Sequence, residues 1–230
     1  MVFSGIDLPE YFDWKDESYN CVGDYRNQGS CGSCWAFSAI DSFNTRRCIA
    51  GRDKNVVQYS EQYVTSCDQY DMGCIGGEID TVWQFLTETG TTTDKCVPYT
   101  SGPGDTGTCP TKCKDGSALQ MIKALGYVDA CSSVESMMTA LVQSGPVTVD
   151  FEVYADFMQY SRGIYQHVWG DKIGDHAVDV VGYGAPNGND PAYWIVRNSW
   201  GGMWGDLGYF KMIKGTNDCG FEENCIAGIV

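Results

Sequence analysis

Gln28-Gly29-Ser30-Cys31-Gly32-Ser33-Cys34-Trp35-Ala36 is the stretch from which the rest of the chain can be read. It puts a thiol, Cys34, at the start of a predicted helix, beside a polar amide and a second cysteine that can be tied off. Trp35, Phe37, Ile40 and Phe43 follow at near-helical spacing, and Gly51 ends the pattern. An unperturbed thiol has a pKa near 8.5, so only about 3 % is thiolate at neutral pH. A helix N-terminus favours the anion, but a working nucleophile also needs an imidazole close by. The chain contains two histidines, His167 and His176, so the candidates for that partner are few.

Working outward, the first half reads helical. Ser60-Glu61-Gln62 opens a second, shorter helix. Ile79, Val82, Trp83 and Leu86 form an i, i+3, i+4, i+7 stripe that stops at Gly90. Residues 90–117 are rich in Thr, Gly, Pro and Cys, and Ser101-Gly102-Pro103-Gly104-Asp105 is loop. In the second half, Ser132 and Glu135 read as a capping box. The helix they open has Val134, Met137, Met138, Leu141 and Val142 on its apolar face and is broken by Gly145-Pro146. Strands follow. Val147, Val149, Phe151 and Val153 alternate with Thr148, Asp150 and Glu152, the period of a half-buried strand. Residues 176–181, 193–196 and 209–213 read as further strands. A helical lobe followed by a β lobe is the α+β plan. There are no internal repeats and no low-complexity tracts.

A chain of 230 residues buries roughly 70–75 % of its unfolded surface and builds cores unaided. Twelve cysteines are therefore more than stability requires, and they point to an oxidising compartment: secreted, vesicular or lysosome-like. Thirty acidic against fifteen basic residues give a formal charge of −15, which argues against nucleic acid as a partner. An acidic working compartment is compatible with that charge. No run of about 18 apolar residues suggests a membrane span. Met1-Val2-Phe3-Ser4-Gly5-Ile6-Asp7 has no basic start and no apolar core, so the chain reads as a processed form, or one prepared without its leader. No Asn-X-Ser/Thr acceptor occurs, and N-glycans are not expected.

Cys31-Gly32-Ser33-Cys34 is also a C-x-x-C, as in thioredoxin-like redox proteins, but those place it after a buried strand, which residues 24–30 do not form. A zinc site needs further ligands at metal spacing, and none is present. No cofactor is expected. Of the histidines, His167 sits in Tyr165-Gln166-His167-Val168 with no acceptor pattern, whereas His176 heads a very apolar strand in Gly174-Asp175-His176-Ala177. With Asn198-Ser199-Trp200-Gly201-Gly202 further on, the chain resembles the papain family of cysteine proteases. His176 follows Cys34 by about 140 residues and Asn198 by about 165, the latter slightly late for the family range. The loop Pro186-Asn187-Gly188-Asn189-Asp190-Pro191 accommodates the extra length.

The resemblance implies a two-lobe papain-like fold over 1–230, its helical lobe (about 15–115) carrying Cys34 and its β-barrel-like lobe (about 116–230) carrying His176 and Asn198. The active site would lie in the cleft between them, with the termini crossing between lobes. It implies Cys34 as nucleophile, His176 as general base and later acid, and Asn198 orienting the imidazole. Gln28 and the Cys34 backbone N–H would form the oxyanion hole, with Trp200 shielding the His–Asn bond. Papain-type pairs bring the thiol to roughly 3–4, a shift of about five units or about 7 kcal/mol, too much for a helix dipole alone.

Leu8-Pro9-Glu10-Tyr11-Phe12-Asp13, Val153-Tyr154-Ala155-Asp156-Phe157, Gly163-Ile164-Tyr165-Gln166-His167-Val168 and Cys219-Gly220-Phe221-Glu222 extend the resemblance to the cathepsin B branch over essentially the whole chain. It implies the disulfides Cys31–Cys74, Cys21–Cys48, Cys67–Cys109 and Cys96–Cys113. Of the three cysteines left over, Cys131 is expected to pair with Cys225, each being near a β segment, leaving Cys219 free. Cathepsin B carries an occluding loop with paired histidines, but residues 96–113 contain none, so an endopeptidase with an open primed end and little dipeptidyl-carboxypeptidase activity is expected.

Gly76 and Gly77 are expected on the substrate strand, and Glu78, Ile79, Asp150, Ala177 and Asn224 around the second subsite. Asn224 stands where cathepsin B has a glutamate, and Asp150 where the family usually has a small apolar residue. Asp150 is open to two readings: a solvated carboxylate on the polar face of its strand, or an acidic pocket floor. The implied partners are protein and peptide substrates, an inhibitory pro-segment in the precursor, and cystatin-like or epoxysuccinyl inhibitors, acting on a monomer. A disulfide-rich binding protein on a dead protease scaffold is the rival class.

Overall fold

The computed structural model describes residues 6–230. The first five residues of the N-terminal stretch read above for a leader lie outside it. The elements are β1 (Tyr11–Asp13), α1 (Trp14–Glu17), α2 (Cys34–Ile49), α3 (Glu61–Cys67), α4 (Ile79–Glu88), β2 (Gly126–Asp129), α5 (Val134–Ser144), β3 (Val147–Tyr154), β4 (Ile164–Tyr165), β5 (Lys172–Gly184), β6 (Tyr193–Arg197), β7 (Tyr209–Ile213) and β8 (Cys225–Ile229). The strands form one sheet in the order β2-β8-β3-β5-β6-β7-β4, with β1 added along the far end of β5. All pairings are antiparallel except β4 with β7.

Two main cores flank α2. One gathers Trp35, Ile40, Phe43, Val82, Trp83 and Leu86 from the helices. The other gathers Val149, Phe151, Phe157, Trp194, Phe210 and Phe221 from the sheet side. Set between them, α2 is buried at every position except Cys34, Arg47 and Ile49. A one-sided apolar stripe therefore understates this helix. Its polar side chains are buried too, and most find partners: Ser42 Oγ donates to the Pro146 carbonyl at 2.8 Å, and the Asn44 side-chain oxygen accepts from the Tyr59 N–H at 3.1 Å.

Three sequence expectations change in detail. The N-cap of α5 is Ser133, whose hydroxyl accepts from the Ser136 N–H at 3.0 Å, so the Ser132/Glu135 box is out of register by one residue. The expected strand over 176–181 extends from Lys172 to Gly184, because β3, β6 and β1 all pair along it. The polar face of β3 is covered at its N-terminal end and opens to solvent only toward Glu152. Thr148 is fully buried and accepts from Trp83 Nε1 at 3.1 Å, since the helical core covers that side of the sheet. Five disulfides are present: Cys21–Cys48, Cys31–Cys74, Cys67–Cys109, Cys96–Cys113 and Cys131–Cys225. Cys34 and Cys219 are free.

Between α2 and the sheet lie Asp41, Asp179 and Arg197, each at most 2 % exposed, with Arg197 and Asp41 3.4 Å apart. Burial holds both carboxyls above the usual range, Asp179 well above it, with the arginines pulling back. Asp68 is pushed up to about 7, by burial and by Asp71. A carboxyl raised in the folded state binds more protons there than in the unfolded chain. Its stabilisation is complete below the ordinary value and is lost as pH rises through the folded one. His176, lowered to about 4 mainly by burial, works the other way between about 6.5 and 4, but it is one group against several. The melting temperature is expected to be at least about 3 °C lower at pH 8 than at pH 5, since one unit on one carboxyl is about 1.4 kcal/mol and a few degrees at this size. Calorimetry across that range checks it, and a higher melting point at pH 8 would refute it.

Candidate active site

Cys34 is the first residue of α2, partly exposed and packed against the helical core. The N-cap, Ser33, makes no side-chain capping bond to the helix; its hydroxyl is paired instead with the Tyr99 hydroxyl at 2.9 Å. The amides of the first turn thus keep no side-chain cap, the arrangement that suits an anion. The backbone amides of Ala177, Trp35 and Cys34 itself pull the thiol down, against its burial. Cys34 packs against the core cluster that contains Ala177, the residue that follows His176 on β5.

Three bonds fix the approach to Cys34. Gly32 N–H donates to the Cys74 carbonyl at 2.9 Å, Trp35 Nε1 to the Gly73 carbonyl at 3.1 Å, and the Cys31–Cys74 disulfide locks the two segments together. The same turn carries Gly76 and Gly77. A Cβ on Gly77 would lie 2.7 Å from the Trp35 ring, so only glycine lets this wall pass so close to the indole. Across from it, residues 26–28 run antiparallel to 199–201: Gln28 N–H donates to the Ser199 carbonyl at 2.9 Å and Gly201 N–H to the Arg26 carbonyl at 2.9 Å.

His176 and Asn198 meet inside the sheet. Their Nε2 and Oδ1 are 2.7 Å apart, and both residues are buried, at 5 % and 1 % exposed. With Asn198 Oδ1 as acceptor, Nε2 carries hydrogen and Nδ1 is the other ring nitrogen. Trp200 stacks on the imidazole at 4.7 Å and 28°, and the Phe151 ring sits edge-on 6.0 Å away. Burial pushes the Cys34 thiol up, with Asp150 adding to the rise, and pushes the His176 imidazolium down to about 4 against the Asn198 bond. Burial thus opposes each charge taken singly.

Gln28 is 7 % exposed, with its side chain held at both ends: Nε2 donates to the Cys31 carbonyl at 2.8 Å, and Oε1 accepts from Ser199 Oγ at 2.6 Å. The amide keeps a second N–H for another acceptor. Ser199 and Tyr99 are two contributors that spacing arguments pass over. Tyr99 donates its hydroxyl to the Gln28 carbonyl at 2.8 Å, and its ring lies edge-on to Phe37 at 4.8 Å. Ser199 lies inside the Asn198-Ser199-Trp200-Gly201 motif, so its position was in view; Tyr99 lies in a loop and carried no signal. His167, the other histidine, is a structural residue. It stacks on Tyr154 at 3.8 Å and pairs through Nδ1 with Asp156 at 3.1 Å.

Of the remaining expected residues, Glu78 is exposed at the N-cap of α4, and Ala177 is 4 % exposed. Asn224 is exposed just before β8, where its carbonyl accepts from the Asp150 N–H at 3.3 Å. At 1 % exposed, Ile79 belongs to the helical core. Among the described residues no cluster of His, Cys, Asp and Glu is arranged to hold a metal, and no helix is long and apolar enough to cross a membrane.

Residues 8–229 match the family described as Papain family cysteine protease. The chain is 53 % identical over 224 residues to Cathepsin B-like CP2 of Giardia intestinalis, covering 96 % of this chain and 74 % of that protein. It is also 53 % identical over 227 residues to Cathepsin B-like CP3 of the same organism, covering 98 % and 76 %. Among solved structures it is similar to procathepsin B S9 from Trypanosoma congolense, with a TM-score of 0.91 and 32 % identity over 97 % of this chain and 78 % of that one. It is similar too to digestive procathepsin L 3 of Tenebrio molitor larval midgut, with a TM-score of 0.83 and 30 % identity over 100 % and 72 %.

Proposed function

The chain belongs to the papain family of cysteine proteases, with cathepsin B-like relatives, and from that premise we propose that it is an endopeptidase acting through a Cys34–His176 thiolate–imidazolium pair. The observation that carries this reading is the 2.7 Å His176–Asn198 bond under the Trp200 ring, on the strand whose Ala177 belongs to the core against which Cys34 packs. The Cys34 thiolate attacks the scissile carbonyl carbon, and the carbonyl π electrons move to oxygen. Gln28 Nε2 and the Cys34 backbone N–H receive that oxyanion. His176 gives its proton to the leaving amine as the C–N bond breaks, leaving an acyl-enzyme. Water then attacks the thioester, losing a proton to His176 as the thiolate departs. Gly76 and Gly77 would pair with the substrate backbone, and Glu78, Ala177 and Asn224 would border the second subsite.

Residues 96–113 contain no histidine, and several bonds pin this segment to the body. Ser30 N–H donates to the Gly102 carbonyl at 2.7 Å, and Thr100 and Ser101 N–H donate to Gln62 Oε1 at 2.6 and 2.9 Å. We read the primed end as lacking the occluding loop and open to a continuing chain. An internally quenched peptide with a blocked N-terminus is therefore expected to be cut at internal bonds at least about tenfold faster than it loses C-terminal dipeptides, tenfold being about 1.4 kcal/mol. Equal rates by mass spectrometry would refute the endopeptidase assignment. The similar structures are of proenzymes, which supports a pro-segment in the precursor. Ten disulfide-bonded cysteines and the net charge of −15 support a lysosome-like or secretory compartment. We further read the helical lobe as about 15–115 and the β lobe as about 116–230, working as a monomer open to cystatin-like inhibitors. Stoichiometric labelling of Cys34 by an epoxysuccinyl inhibitor tests the nucleophile; an unlabelled, correctly folded mature chain would favour a dead scaffold.

A further inference from the structure

The Tyr99 hydroxyl stands between the two chain segments that carry Gln28 and Cys34. It donates to the Gln28 carbonyl at 2.8 Å. A hydroxyl has one hydrogen to give. Toward Ser33 Oγ, 2.9 Å away, the Tyr99 oxygen therefore accepts, and the Ser33 hydroxyl is the donor. The bonds form a directed chain, from Ser33 through Tyr99 to the Gln28 carbonyl, and its Ser33 end is fully buried.

Both ends of that chain adjoin a proposed oxyanion donor. The Ser33 carbonyl shares a peptide unit with the Cys34 N–H, and it accepts from the Ala36 and Phe37 N–H groups at 3.0 and 3.1 Å. That unit is thus held by the first turn of α2, while the Ser33 side chain is held by Tyr99. At the other end, the Gln28 N–H is on the Ser199 carbonyl at 2.9 Å. Among the described residues no backbone N–H reaches the Gln28 carbonyl, and the Tyr99 hydroxyl is its donor. Tyr99 is itself anchored. Its ring lies edge-on against buried Phe37 of α2. On either side of it, the Val97 carbonyl accepts from Ser60 Oγ at 2.6 Å and the Thr100 N–H donates to Gln62 Oε1 at 2.6 Å, which ties this loop to the start of α3.

We propose that Tyr99 is a positioning residue of the oxyanion hole: its hydroxyl fixes the Gln28 side chain and the Cys34 amide relative to each other before charge develops on the substrate oxygen. This rests on the assignment of Cys34 as nucleophile and of those two donors. Donors fixed beforehand cost no reorganisation when the oxyanion forms. A hydroxyl that acts only at that step leaves ground-state binding alone, so its removal lowers kcat and kcat/KM together.

Tyr99→Phe keeps the ring against Phe37 and deletes only the hydroxyl. It is expected to lower kcat about tenfold with KM within about twofold, less than the roughly 10²–10³ for loss of a hole donor outright. A peptide aldehyde and the matching peptide alcohol give a second readout, at equilibrium. The Cys34 thiolate adds to the aldehyde carbon, and the carbonyl π pair moves to oxygen, which is charged until it takes the His176 proton. The alcohol has no carbonyl there and cannot add. Tyr99→Phe is expected to weaken the aldehyde about tenfold and the alcohol by less than about twofold. Ser33→Ala cuts the chain at its other end and is expected to weaken the aldehyde selectively too, so the test stands even if Tyr99→Phe does not fold. Added to Gln28→Ala, Tyr99→Phe is expected to cost the aldehyde no more than about twofold further, because the group it positions is gone. Equal weakening of aldehyde and alcohol overturns the proposal. So does an unchanged aldehyde affinity in either folded single variant, or a further loss of about tenfold in the Gln28→Ala background. Gln28→Ala binding the aldehyde as tightly as the unaltered enzyme would instead overturn the assignment of the hole itself.

Discussion

Replacing His176 by alanine is expected to lower kcat/KM on peptide substrates by at least about 10⁴-fold, or about 5.5 kcal/mol of transition-state stabilisation. Two losses combine. The leaving amine has no proton donor, which alone is worth about 10²–10⁴, and the thiolate loses its counter-ion in a site where burial already pushes the thiol up. The alkylation midpoint of Cys34 should therefore rise to at least the ordinary thiol value, near 8.5. His167→Ala serves as the control. That ring is committed to Tyr154 and Asp156, away from the Cys34 junction, so turnover by the folded variant is expected to stay within a few-fold of normal. Steady-state kinetics with active-site titration and circular dichroism on both variants checks the pair. A His176→Ala enzyme within tenfold of normal turnover would end the assignment.

The second large effect is on stability. Arg46, fully enclosed on α2, sends its guanidinium to three backbone carbonyls: Pro146 at 2.6 Å, Gly145 at 2.9 Å and Gly228 at 2.6 Å. These belong to the turn before β3 and to β8, so one side chain fastens the central helix to the sheet. A Cβ on Gly145 would lie 2.7 Å from Arg46 Cγ, and this glycine has φ +119°, so the fit leaves no room for another residue. Arg46→Met keeps much of the volume but removes the guanidinium from all three carbonyls; Pro146 keeps the Ser42 hydroxyl, while the Gly145 and Gly228 acceptors lose a buried donor at about 1–3 kcal/mol each. A loss of about 4 kcal/mol is expected, equivalent to a melting point about 8–16 °C lower at this size. Arg47→Met, one position along, is the comparison: it removes a partly exposed ion pair with Asp53 at 2.9 Å and is expected to cost about 1 kcal/mol or less. Equal melting points for the two variants would refute the role given to Arg46.

The chemistry-bearing motifs were legible because each needs particular residue types at fixed local offsets. Cys34 beside Trp35, His176 beside Ala177, and Asn198-Ser199-Trp200 are local statements. So is the helix of α4, whose stripe ends where Thr89 and Gly90 close it. The expected strand 147–153 was found as β3, but burial of Thr148 on its outward face was not foreseen, since alternation alone does not say where a helix covers the second side. The edge strands Tyr11–Asp13, Gly126–Asp129 and Ile164–Tyr165 were missed, because two to four residues carry no periodicity.

By itself the sequence named the nucleophile, base and orienting amide candidates and the α+β order, since local spacing and residue chemistry suffice for those. Only the tertiary structure decided that α2 would be buried on nearly all sides, that Arg46 would bind carbonyls about 100 and 182 residues away, and that Asp150 would stand opposite Ala177 across β3 and β5. The reason is physical. Burial of a polar group is decided by what the rest of the chain brings to it, and its partner sits at a sequence distance that no local pattern encodes.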